Sequence, residues 1–154
     1  MSAARFYHLT QSSVDQTCRM LLEKALAARW RVAVRGTDLE RLKWLDEKLW
    51  LGPDEGFLPH GIAGGPHDGA QPVLLTTGEA ANAPNCLMSI DGAEILAEEA
   101  RDKDRVFILF DGGEEAAVAR ARVQWKSLTQ AGVAAQYWAQ EGGRWTLKAE
   151  KPES

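Results

Sequence analysis

Residues Arg105–Phe110 read RVFILF, a run that is apolar at consecutive positions and would therefore be apolar on both faces of a strand. Such a strand is stable only when covered on both sides, which is the situation of a central strand in a parallel sheet. Parallel neighbours need long crossovers, so the rest of the chain has to supply alternating strands and helices. It does. Strand patterns occur at Arg5–Leu9 (RFYHL), Arg31–Arg35 (RVAVR), Pro72–Thr76 (PVLLT) and Leu87–Ile90 (LMSI). Ser13 with Gln16 has capping-box spacing ahead of Val14, Cys18, Leu21, Leu22, Ala25 and Leu26, and Thr37 with Glu40 repeats it ahead of Leu39, Leu42, Leu45 and Leu49. The second helix is expected over Asp38–Leu49. A short helix is expected from Gly92 to about Arg101, and a last one over Glu114–Ala131 with Gly132 as its stop. Two alternating runs between Gln136 and Lys148, around Glu141-Gly142-Gly143, signal a hairpin. The expected fold is α/β: a Rossmann-like, mostly parallel sheet flanked by helices, with a C-terminal β-hairpin. Residues 1–148 form one domain and 149–154 a flexible tail.

At 154 residues with 45% hydrophobic and 26% charged residues, the composition is that of a globular domain able to bury a core without staples. The two cysteines, Cys18 and Cys86, lack metal or redox spacing and read as reduced core thiols. No apolar run approaches the length of a membrane span and MSAARFYHL lacks a signal core, so a cytoplasmic protein is expected. A formal net charge of -4 disfavours a general grip on nucleic acid and makes any basic site local.

The loops at the carboxyl ends of the strands, the usual ligand site of an open α/β sheet, are poorly equipped. His8-Leu9-Thr10-Gln11-Ser12-Ser13 has no glycine with which to approach a pyrophosphate. Asp111-Gly112-Gly113 is flanked by Glu114 and Glu115 and reads as a turn rather than an anion site. His8, His60 and His67 show no metal-ligand spacing, and no serine or cysteine sits in a nucleophile context. Asp91 and Asp111 follow strands and supply the alternative reading, a Rossmann-type nucleotide-binding module or small enzyme. Turn and capping roles explain them as well. No catalytic residue, metal or cofactor is assigned.

Two stretches carry more information. Leu45–His60 (LDEKLWLGPDEGFLPH) runs from a charged helix into a loop with Trp50, Phe57 and Leu58, beside Pro59. The aromatics either fold back as a lid or dock a partner, where large side chains on rigid scaffolds become hot spots. On the last helix Val118, Arg122, Trp125 and Thr129 share one stripe, with Arg120 and Lys126 adding positive charge to an acidic chain. Either Trp125 is core under solvated charges, or the stripe receives a short acidic peptide whose terminal carboxylate meets an arginine.

The segments FYHL, RVAVR, LDEKLW, GFLPH, AGGP, QPV, RVFILFDG and ARVQWKSLTQAG together resemble the chi subunit of bacterial DNA polymerase III holoenzyme, in order and over nearly the whole chain. The resemblance implies a Rossmann-like fold without nucleotide or catalysis, and two protein partners, with nucleic acid met only indirectly. One is the psi subunit of the clamp-loader complex, or an XPD-like accessory helicase on the same surface, at Trp50, Phe57, Pro59 and His60. The other is the acidic C-terminal tail of single-stranded DNA-binding protein, at Val118, Arg122, Trp125 and Lys126. Trp125 stands where family members often carry tyrosine, and Val118 where some carry lysine.

Overall fold

The computed structural model describes residues 3–50 and 59–152. Strands β1 (Ala3–Leu9), β2 (Val32–Arg35), β3 (Gly61–Ile62), β4 (Val73–Thr76), β5 (Cys86–Ser89), β6 (Arg105–Asp111), β7 (Ala134–Glu141) and β8 (Arg144–Lys151) form one sheet. Helices α1 (Val14–Ala27), α2 (Leu39–Trp50), α3 (Ala97–Asp102) and α4 (Glu115–Gln130) flank it. The strand order is β3-β4-β2-β5-β6-β1-β7-β8, parallel throughout except for β8, which runs antiparallel to β7. This is the expected mostly parallel α/β architecture with its terminal hairpin.

RVFILF lies inside the sheet between β1 and β5, with Val106 to Phe110 all buried. Alternation sorts its side chains: Phe107 and Leu109 join Tyr7, Leu9, Val32 and Val34 under α1 and α2, while Val106, Ile108 and Phe110 join Phe6 and Leu87 under α3 and α4. Two covered faces explain why no polar residue interrupts the run. Cys18 and Cys86 are free and buried in the first of these layers, and burial pushes both thiols up to about 12.

The start of α1 and the end of α4 obey their sequence signals. Ser13 Oγ accepts from the Gln16 N–H at 3.3 Å and Gln16 Oε1 accepts from the Ser13 N–H at 3.1 Å, the reciprocal cap expected for α1. At α2 the expectation of Thr37 as cap is corrected: Asp38 Oδ1 accepts from the Glu40 N–H at 3.0 Å, and the Asp38 carbonyl accepts from Leu42 at 3.1 Å. Gly132, at φ 87, ends α4; its N–H donates to Thr129 O and that of Val133 to Leu128 O. The β7–β8 turn places Gly142 and Gly143 at φ 56 and 79, the pair of left-handed residues a two-residue hairpin loop needs. Strand β8 continues to Lys151, past the Lys148 end expected for the hairpin.

Two elements depart further from expectation. Helix α3 begins at Ala97, five residues after Gly92, because the intervening chain is held otherwise: Asp91 has φ 54, Ser89 Oγ donates to Ala93 O at 2.6 Å, and Gln124 clamps both the N–H and C=O of Ile95. Gly61–Ile62, not among the expected strands, pairs with Leu74 and Leu75 as an edge strand, and Asp68–Ala70 forms a 3-10 turn.

Candidate functional site

The chain reverses direction between β2 and β5, since β2 leads outward to β3 and β5 leads back to β6. Ligands of open α/β sheets enter at such a point. Here the Arg35 guanidinium, at the end of β2, donates to both carboxylate oxygens of Glu99 at 2.8 and 2.6 Å and to Glu94 O at 3.1 Å. The side chains are 12% and 27% exposed, and the arginine's hydrogen bonds hold the Glu99 carboxyl below the usual carboxylate range. The cleft beside this pair, about 690 Å³, is lined by Glu79, Glu94, Glu98 and Glu99 against Arg35 alone, an unfavourable setting for phosphate. Asp91 is engaged by Arg41 through two contacts of 3.2 and 3.3 Å, and Asp111 Oδ1 accepts from the Gly113 N–H at 2.8 Å.

The first βα loop is occupied in another way. The N–H groups of Thr10, Gln11 and Ser12 converge on Gln140 Oε1 at 3.1, 3.0 and 3.0 Å, and Gln140 Nε2 donates to Ser12 Oγ at 2.8 Å. Main-chain donors that would cradle a pyrophosphate in a dinucleotide-binding domain are taken by a side-chain amide from β7. Among the described residues there is no group of three or more histidine, cysteine or acidic side chains able to hold a metal ion, and no helix long and apolar enough to cross a membrane.

Of the first surface proposed from sequence, the structure describes Trp50, Pro59 and His60; Phe57 lies outside the described residues. Trp50, the last residue of α2, is 52% exposed. Its ring lies on that of His60 with centroids 4.4 Å apart and planes inclined by 39°. His60, expected beside Trp50 on this surface, has a fully buried side chain. Its Nε2–H donates to Asp46 Oδ1 at 3.0 Å and faces Asp46 O at 3.3 Å, fixing the imidazole against α2. Trp44, six residues earlier on α2, is covered by the Arg41 guanidinium 4.3 Å from its ring centroid.

On the second surface the helical stripe is present as spaced. Trp125 is half-buried and edge-on to Phe6 at 5.3 Å and Tyr137 at 6.0 Å, so it is both core and surface. Val118 packs against the same core layer; Arg122 and Lys126 are exposed. Sequence reasoning missed two neighbours. His8 Nδ1 and Tyr137 Oη are hydrogen-bonded at 2.6 Å, and the His8 ring is edge-on to Phe110 at 5.2 Å. Burial and the Arg122 charge hold His8 below its ordinary range, with Asp111 opposing, while burial raises the Tyr137 phenol and Arg122 opposes. The signal available in sequence was the placement of polar aromatics at positions 8 and 137, in strands that otherwise face α4 with Phe6, Ala4 and Ala135.

The chain is a doubly wound α/β domain whose first-loop amides, Asp91 and Asp111 are engaged internally, with Trp50 half-exposed at a helix end. Residues 1–136 match the family described as DNA polymerase III chi subunit, HolC, and the chain belongs to that family. DNA polymerase III subunit chi of Escherichia coli (strain K12) is 38% identical over 78 residues, a match covering 46% of this chain and 53% of that protein. The chain thus aligns with about half the length of that relative. The family is named for a subunit of DNA polymerase III.

Proposed function

We propose that this chain is a non-catalytic adaptor in the clamp-loader complex of DNA polymerase III, acting in the bacterial cytoplasm and joining two protein partners. One partner is the psi subunit, or an XPD-like helicase in its place, received around Trp50 with Phe57 and Pro59 and supported by His60. The other is the acidic C-terminal tail of single-stranded DNA-binding protein, received by Arg122, Trp125, Val118 and Lys126. DNA is then met through that protein and not directly.

The observation that carries this reading is Trp50, a half-exposed indole at a helix end held on a buried, hydrogen-bonded histidine. A large aromatic already fixed in place loses little entropy on binding, which is the economy of a hot spot. The engaged strand-end groups weigh against the alternative, a nucleotide module built on Asp91 and Asp111. Co-purification and peptide titration test the two faces separately. Trp50→Ala is expected to abolish capture of psi while an acidic tail peptide still binds; Arg122→Ala and Trp125→Ala are expected to do the reverse, and tail affinity is expected to fall with added salt. Tail binding unchanged by both α4 substitutions would refute the assignment of that surface.

A further inference from the structure

We infer that the Tyr137 hydroxyl, backed by His8, is a carboxylate donor beside Arg122, so that an acidic peptide ending in a free carboxylate binds this face together with a proton. The inference rests on the tail-binding reading above and adds to it the residues that receive the carboxylate and their proton linkage.

The residues form one wall. Trp125, Tyr137, His8 and Phe110 follow one another in ring contacts of 6.0, 5.9 and 5.2 Å, spanning α4, β7, β1 and β6. His8 reaches its place because position 112 is glycine: a methyl group there would collide with the imidazole. The Gly112 N–H donates to Leu9 O at 2.7 Å and keeps the two chains that close. The groups that act on His8 are Arg122 from α4, Asp111 from the end of β6 and Tyr137 from β7. Tyr137 is in turn within reach of the Arg122 charge.

With His8 neutral and its proton on Nε2, the hydroxyl proton satisfies Nδ1, and Tyr137 Oη offers an approaching carboxylate only lone pairs. Protonation reverses the bond: Nδ1–H donates to Oη, and the phenolic O–H is free to donate to a carboxylate drawn by the Arg122 charge. A carboxylate then meets two donors and a further positive charge behind them. No covalent bond changes; one proton is taken from solvent. Arg122 and burial oppose that proton in the free protein, and an anion on Arg122 removes the repulsion, so each binding event favours the other.

The test is calorimetric titration of the full chain with a synthetic acidic peptide ending in an apolar residue and free carboxylate, between pH 5.5 and 8, in buffers of different ionisation enthalpy. The peptide's own carboxyls stay ionised over this range. Affinity is expected to rise as pH falls, about tenfold for each unit by which the anion raises His8, with net proton uptake approaching one. His8→Leu is expected to flatten the pH dependence. Tyr137→Phe, with an unchanged far-UV spectrum and melting transition, is expected to reduce the proton uptake and weaken binding roughly fivefold at pH 5.5. An amidated peptide is expected to bind without the pH dependence. A wild-type affinity that is flat with pH yet lost in Arg122→Ala would overturn the proton link and leave the docking face standing. Absence of peptide binding at every pH would overturn both.

Discussion

Replacing Glu99 with glutamine removes the charge that closes the β2–β5 crevice while keeping an oxygen for the Leu96 N–H, which Glu99 now accepts at 3.1 Å. Arg35 would keep its bond to Glu94 O and lose a bidentate carboxylate partner. With the side chains only 12% and 27% exposed, the loss lies between that of a surface pair, about 0–1 kcal/mol, and that of a buried charge left unpaired, about 3–5 kcal/mol. A value of about 2 kcal/mol is expected for Glu99→Gln at pH 7, and about 1 kcal/mol more for Glu99→Ala, which also loses the helix cap. For a domain of this size 2 kcal/mol lowers the melting temperature by roughly 4–8 °C. The pH dependence has a definite sign. Because the folded-state carboxyl is depressed, its contribution is complete above the unfolded-state value of about 4.3 and disappears as pH falls through the folded-state value. Urea unfolding of wild type and both variants at pH 7 and in a descending acid series measures this. A Glu99→Gln penalty of the same size at both ends of the series, or no difference between glutamine and alanine at pH 7, would refute the argument.

Two further outcomes follow from particular bonds. Asp38→Ala should destabilise by about 1 kcal/mol in chemical denaturation and Thr37→Ala by far less, since Asp38 is the side chain that meets the α2 N-terminus. Gln140→Ala should cost about 1–2 kcal/mol by the same measure, less than its four hydrogen bonds would suggest, because the exposed loop donors regain water; protection of the Gln11 and Ser12 amides from hydrogen exchange should drop.

What could be read from sequence follows the range of the forces involved. The central strand and the α1 cap were legible because burial on both faces and a three-residue cap leave local patterns. Asp38 against Thr37 was not, since both carry a capping oxygen and only the backbone path decides between neighbours. Gly61–Ile62 has no strand pattern of its own and exists through its pairing with β4. The same limit applies to the sites. The α4 stripe repeats at helical spacing and could be seen; His8 and Tyr137 meet across 129 residues of sequence and could not. The anchoring of His60 by Asp46, fourteen residues earlier, leaves no local pattern either.

The sheet's two borders differ in a way that bears on how this subunit joins others. β3 is only two residues long, too short to template another strand, while β8 spans eight residues. The longer border bears Arg144, Lys148, Glu150 and Lys151, and its ladder with β7 is irregular at Tyr137/Trp138. Charged and kinked edges resist pairing with a foreign strand. Growth of the sheet by a foreign strand is thereby disfavoured at both borders, which leaves side chains on helices and loops as the surfaces open to a partner.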